Sequence, residues 1–345
     1  MVSIPAQGLP VAAPQTVGMN AAKLNQIEAL VETDIKDKKL PGAVVLIGHN
    51  GKIVFRKAYG NRSLVPTVEP MTVDTIFDLA SLTKVVATTT SIMILAEQGK
   101  IRLSDTIGKY IPEILDEQVK RVTIQQLMTH TSGFAPDFDL KEKWTGREGM
   151  LQALYKQKLR TAPGTKFVYS DINFITLGEI LYRVSGDFLN GYFLEKVASP
   201  LSLRHSGYFT LTYFHKTPEW GWSGYQPDSK SSFTVFPPRN LIAPTENIRG
   251  QNSYLGSKFE GDDKTGDRIL RGQVHDPTSY RMGGVAGHAG LFSKADDLAR
   301  FCQMLLNGGI LDGKRILSAQ TVARMTAPIV VSETGETRGL GWDIN

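Results

Sequence analysis

Ser81-Leu82-Thr83-Lys84 places a hydroxyl and an amine three residues apart. On a helix, positions i and i+3 share a face, so the Lys84 amine reaches the Ser81 hydroxyl. At a helix start Ser81 also gains the macrodipole and free backbone N–H groups, which stabilise a developing anion. This is the chemistry of a nucleophile beside a proton acceptor. An accepting Lys must first be neutral, which burial or neighbouring positive charge favours, and Phe77, Leu79, Ala80, Val85 and Val86 surround the motif with apolar groups. Taken alone, S-x-x-K arises by chance in most chains this long, and a Ser N-cap followed by an exposed Lys is its ordinary account.

Tyr169-Ser170-Asp171 precedes an apolar helical pattern from Ile172 to Val184, where a phenol can face the Ser-Lys pair. The sequence has no G-x-S-x-G elbow, no H-E-x-x-H, no Walker A loop and no G-x-G-x-x-G. The common hydrolase-elbow, zinc-protease, nucleotide and dinucleotide readings therefore lack a motif. Glu246, His275, Asp276 and His288 are the remaining candidates for a metal, yet 13 residues separate the two histidines and the spacing is not that of ligands. Hydrogen-bonded loop residues are their expected role. Cys302, the single cysteine, falls within the pattern Leu298, Phe301, Met304, Leu305 and is expected to be a buried small hydrophobe. No metal and no organic cofactor is implied.

These groups need elements to hold them. Asn20 is placed as an N-cap before Leu24, Ile27, Leu30, Val31 and Ile35 at helical spacing. Ala43 to Gly48 and Lys52 to Tyr59 are β-rich runs joined through Asn50-Gly51, the strongest short hairpin signal. A second helix is predicted from Ser81 through Val85, Ile92 and Leu95 to a Gly99 stop. Further helices are expected over 123–128, 149–158, 172–184 and 295–306, the last capped by Ser293. From Tyr208 to Gly284, Gly, Pro, Ser and aromatic residues replace periodicity, which reads as long surface loops. Trp220 and Trp222 in that region either line an acyl pocket or cover the core.

The 345 residues carry 39 Lys+Arg against 34 Asp+Glu, a formal charge of +5, with 41% hydrophobic residues. This composition is globular, and without a block of like charge it gives no footprint for nucleic acid. No stretch approaches the ~18 apolar residues of a membrane span. Met1 to Gln15 has neither a basic start nor an apolar run of signal-peptide length, so the expectation is a cytoplasmic protein or one whose leader has been removed.

The flanks of the two chemical segments extend the pattern. They are Phe77-Asp78-Leu79-Ala80 before Ser81, Leu127-Met128-Thr129-His130-Thr131-Ser132-Gly133, Pro163-Gly164-Thr165 before Tyr169, and Gly290-Leu291-Phe292-Ser293 before Asp297-Leu298-Ala299. In order and spacing, from residue 20 onward, these segments resemble the serine β-lactamase and penicillin-binding-protein superfamily, in its class C β-lactamase-like branch of esterases and D-amino-acid peptidases. The resemblance implies an α/β fold of α+β type, an antiparallel sheet flanked by helices with an all-helical part, and an active site at their junction. Residues 18–80 with 285–345 would form the sheet part, and 81–284 the mainly helical part with its loops. It further implies Ser81 as acylated nucleophile, Lys84 as its proton partner and Tyr169 as the second acid/base. Asp171 stands where this family commonly has Asn, and an ionised carboxylate only accepts hydrogen bonds.

The family's third motif, Lys or His followed by a small residue and Gly on a strand lining the cleft, has two candidates. Lys264-Thr265-Gly266 is a literal match set among acidic residues and reads as a solvated loop. His288-Ala289-Gly290 fits the loose pattern and is expected to line the substrate site, although it leads straight into a helix. The motif is therefore expected beyond residue 345, with Leu340, Trp342 and Ile344 opening a strand and the C-terminal sheet strands missing. Ester, D-amino-acid peptide and β-lactam carbonyls all suit a Ser-Lys-Tyr set. The alternative is a catalytically impaired or fragment form that binds without turnover or needs a further C-terminal segment. The partner is a small-molecule or peptide substrate, and the oligomeric state is left open.

Overall fold

The computed structural model describes residues 8–209, 239–248, 269–331 and 335–344. Helix α1 spans Ala21–Lys36, and the Asn20 side chain accepts the Lys23 N–H at its start, as the N-cap expectation requires. Strands β1 (Gly42–His49) and β2 (Lys52–Ser63) form the expected antiparallel hairpin. Asn50 at φ 49° and Gly51 at φ 73° take the left-handed backbone that a two-residue turn between twisted strands demands. β3 (Glu69–Pro70) pairs with the far end of β2, giving the order β1-β2-β3, so the outer edge of β1 has no partner among the described strands.

A second small sheet carries the site. β4 (Phe77–Asp78) and β5 (Gly207–Tyr208) flank β6 (Leu291–Ser293), both antiparallel to it. The chain leaves β4 into a helix that begins at Leu82, runs as a π-helix over Lys84–Thr89 and continues as α2 (Thr90–Glu97) to Gly99 in the left-handed region. Across the wide turn the Thr90 hydroxyl donates to the Val85 carbonyl, five residues back, at 3.2 Å. π-turns inside helices gather at functional sites. The segment from Val86 to Leu95 is buried and packs with Leu127, Phe134, Phe174, Ile180 and Phe193 in the main core.

Helices Ile124–Met128 and Asp171–Ser185 lie close to their expected bounds, the first with a reciprocal capping box between Thr123 and Gln126. The expected helix over 149–158 lies at Gly146–Tyr155. Helix Ala295–Leu306 starts from Lys294 instead of Ser293. Ser293 belongs to β6, where its hydroxyl bonds that of Ser206 at 2.7 Å. Cys302 is exposed, against expectation. Phe301 and Met304 occupy the inward face of that helix, and the residue after Phe301 is turned about 100° away from it.

Residues 340–344 are not a strand. Thr337–Arg338 pairs with Ile329–Val330 in a two-stranded hairpin, after which Gly339 N–H bonds the Trp342 carbonyl. Leu340 is buried in the core, and Gly341 N–H donates to Met128 O at 2.9 Å. The apolar alternation of Leu340, Trp342 and Ile344 thus serves packing. Lys264-Thr265-Gly266, Trp220 and Trp222 lie outside the described residues.

Candidate active site

Ser81 sits at the exposed mouth of the turn between β4 and the π-helix, while Lys84 is 3% exposed. Turn bonds Thr83 N–H to Ala80 O and Lys84 N–H to Ser81 O, each 3.0 Å, set the two side chains on one face. The Lys84 Nζ lies 3.0 Å from Ser81 Oγ, 3.1 Å from the His288 carbonyl and 2.6 Å from Asp171 Oδ1. A lysine ammonium has three donors, and these three partners match them. Nζ also stands 4.9 Å from the Tyr169 ring centroid and 5.9 Å from that of Phe174.

Tyr169 is held by a buried histidine, His130, which in the sequence is only one member of the Leu127 to Gly133 flanking segment. The His130 imidazole stacks on the Tyr169 ring at 4.5 Å between centroids. His130 itself has φ 58°, an uncommon conformation for a residue with a side chain. Its Nδ1 accepts the Ser170 N–H at 3.0 Å and faces Asn173 Nδ2 at 3.1 Å, while Ser132 Oγ donates to Asn173 Oδ1 and fixes that amide's orientation. Burial, with the Lys84 and Arg338 charges, pushes the His130 pKa down to about 3. The ring is therefore neutral near pH 7, with its proton on Nε2. The signal was the His-Thr-Ser-Gly run after a helix; the stacking on Tyr169 is a tertiary fact.

His288 does not line the site through its side chain. The imidazole is 1% exposed, and Nε2 bonds Asp276 Oδ1 at 2.8 Å. Burial alone would lower the His288 pKa, but the Asp276 carboxylate raises it above the ordinary histidine value. Burial likewise opposes ionisation of Asp276, yet the His288 charge and hydrogen bond hold it down to about 2. What His288 offers the site is its carbonyl, bonded to Lys84. Ala289 is also buried, its carbonyl bonded by Ser279 Oγ at 3.0 Å, and Gly290 has φ 118° with no room for a side chain beside Gly284 O. These contacts of the two residues support the path of the chain.

Gly287 explains why that path is so close. A Cβ there would stand 1.9 Å from the Phe174 carbonyl oxygen, so only glycine lets this segment touch the helix behind Lys84. Thr88 Oγ donates to the Gly287 carbonyl at 2.6 Å and secures the approach.

The suspected metal residues divide into two separate acid–imidazole pairs, His275 with Glu246 at 2.6 Å and His288 with Asp276. Ligand atoms of Asp171, Asp276 and His288 do lie within 4.8 Å of one another. Their charges are already matched, Asp171 by Lys84 and Asp276 by His288.

Comparison with known proteins bears on the family and the fold. The chain is 32% identical over 352 residues to a protein of Escherichia coli (strain K12) named "Putative D-alanyl-D-alanine carboxypeptidase", covering 96% of this chain and 74% of that one. Its fold is similar to the octameric penicillin-binding protein homologue from Pyrococcus abyssi, with TM-score 0.66 and 22% identity over 92% of this chain and 64% of that chain. It is also similar to EstCE1, described as a hydrolase with promiscuous acyltransferase activity, with TM-score 0.62 and 23% identity over 92% and 81% of the two chains. Among the described residues no helix is long and apolar enough to cross a membrane. The sequence profile described as Beta-lactamase matches residues 27–345, and the chain belongs to that family of β-lactamase-fold hydrolases.

Proposed function

We propose that the protein is a serine hydrolase that forms an acyl-enzyme on Ser81, and that D-alanyl peptides and small esters are its substrate classes. The observation that carries this reading is the buried Lys84 amine 3.0 Å from an exposed Ser81 hydroxyl. Lys84 acts from its neutral-amine form, after the resting ammonium has given one proton to solvent: Ser81 Oγ attacks a carbonyl carbon and its proton passes to Lys84 Nζ. The ammonium so formed is met by Asp171 Oδ1 and the His288 carbonyl, groups already in place before charge develops. The Ser81 backbone N–H, at a helix start where no intrahelical acceptor exists, is available to the oxyanion. As the bond from the carbonyl carbon to the leaving group breaks, Tyr169, beside Lys84, gives its phenol proton to the departing amine or alcohol and recovers one from the Lys84 ammonium. Water then repeats the attack on the ester and frees Ser81.

The D-alanyl peptide class is supported by the name of the E. coli relative at 32% identity. A parallel assay of an aryl acetate, a chromogenic cephalosporin and a D-Ala-D-Ala peptide with wild type and Ser81→Ala tests the proposal, alongside intact-mass detection of the acyl adduct. Turnover that survives Ser81→Ala would overturn it. A chain that binds these compounds without acquiring any adduct would instead be the binding form.

A further inference from the structure

The nucleophile turn is strained. Ala80, the residue before Ser81, has φ 45°, a left-handed conformation that is unfavourable for a residue with a Cβ. Something must hold it, and the neighbouring carboxylate does. Asp78 Oδ1 accepts the Ala80 N–H at 2.9 Å, and its Oδ2 accepts the His275 N–H at 2.8 Å. His275 is joined by one peptide bond to Asp276, Asp276 bonds His288, the His288 carbonyl bonds Lys84, and Lys84 bonds Ser81. Ser81 follows Ala80, and the circuit closes. Every link is a peptide bond or a hydrogen bond of 2.8–3.1 Å.

We propose that Asp78 is a positioning residue that locks Ala80 left-handed and so aims the Ser81 hydroxyl at Lys84. This rests on the acyl-enzyme reading above. Asp78 does not touch substrate; it fixes the two ends of the circuit, the turn carrying the nucleophile and the segment carrying the groups behind the base. Both its oxygens accept from backbone N–H groups, a task only a carboxylate performs at this place. An asparagine has one acceptor oxygen and one amide NH2, and that NH2 would face a second donor. Released, Ala80 relaxes toward negative φ and the Ser81 side chain swings.

The test is a pair of comparisons. A misaim of about 1 Å costs on the order of 10²-fold in rate, so Asp78→Asn is expected to lower kcat on an aryl acetate, and the rate of Ser81 labelling by a fluorophosphonate, by that amount. KM is expected to stay within about threefold, since the substrate contacts are untouched. Glycine adopts left-handed φ without penalty. In the Ala80→Gly background the same Asp78→Asn change should therefore cost less than about a tenth as much, because the turn no longer needs its clamp. A general loss of folding would not be relieved by a glycine at this turn. If Asp78→Asn alone yields no folded protein, recovery of soluble, labelled enzyme in the double variant supports the clamp. An unchanged rate in Asp78→Asn, or an equal loss in both backgrounds, overturns it. A wild type that neither turns over ester nor takes the label would instead overturn the acyl-enzyme reading.

Discussion

Asp171 Oδ1 and Lys84 Nζ lie 2.6 Å apart, joining the first residue of one buried helix to the π-turn of another. Lys84 is almost wholly enclosed and the Asp171 side chain is 22% exposed, so each is the other's principal counter-charge. Removing one partner of such a pair costs about 3–5 kcal/mol, because the other is left buried and uncompensated. Asp171→Asn and Lys84→Met are each expected to lower the urea midpoint. The double variant should lose less than the sum of the two by about 1–3 kcal/mol. Strict additivity would show that the two side chains do not interact in solution.

Lys84→Arg is expected to leave less than about a hundredth of wild-type acylation, since a guanidinium keeps its proton and cannot receive another from Ser81. Stopped-flow acylation by an aryl acetate measures it. Near-normal acylation would reduce Lys84 to a fixed charge.

Tyr169→Phe is expected to slow acylation by about 10²–10⁴-fold, the usual weight of a placed general acid/base. His130→Ala removes the platform beneath the ring and should reduce kcat by about tenfold or more while Tyr169 is still present. A change below tenfold in Tyr169→Phe would make Tyr169 a packing residue.

Stability should decline as pH is lowered through the histidine range. The folded-state values of His130, about 3, and His205, about 4, lie below the unfolded value of 6.5, and burial is the leading cause in both. Below 6.5 the unfolded chain takes up protons that these rings refuse. The contribution of these two rings is thus fully present above 6.5 and falls as pH drops toward 4 and then 3, at up to roughly 1.4 kcal/mol per pH unit for each group. Asp276 adds a later loss: held down to about 2 against an ordinary value of 3.8, its contribution is present above 3.8 and disappears through about 2. Urea midpoints measured from pH 7 to 3 test the sequence, and His130→Gln should flatten the upper part of the slope.

Much of this was legible in the chain because its causes are local. Asn20 ahead of an apolar heptad-like pattern, Asn50-Gly51 between β-rich runs, and Ser81 one helical turn before Lys84 each act within a few residues. The errors fell where a distant partner decides. Ser293 has the composition of a cap, yet Ser206 draws it into β6. Leu340 and Trp342 alternate as in a strand, yet Met325 and Met128 claim the backbone of Leu340 and Gly341. His288 stands beside Lys84 through its carbonyl. Whether its ring or its carbonyl would face Lys84 depends on how closely residue 287 approaches Phe174, and no local pattern encodes that distance.

That approach also limits what selection can do with this protein. With a Cβ at position 287 falling 1.9 Å from the Phe174 carbonyl oxygen, every codon other than glycine would push the His288 carbonyl off Lys84. A library built to widen the substrate range therefore gains nothing by varying 287 and loses that fraction of its members outright. Diversity placed at exposed positions such as Leu82 leaves Gly287 and the contacts of Lys84 as they are.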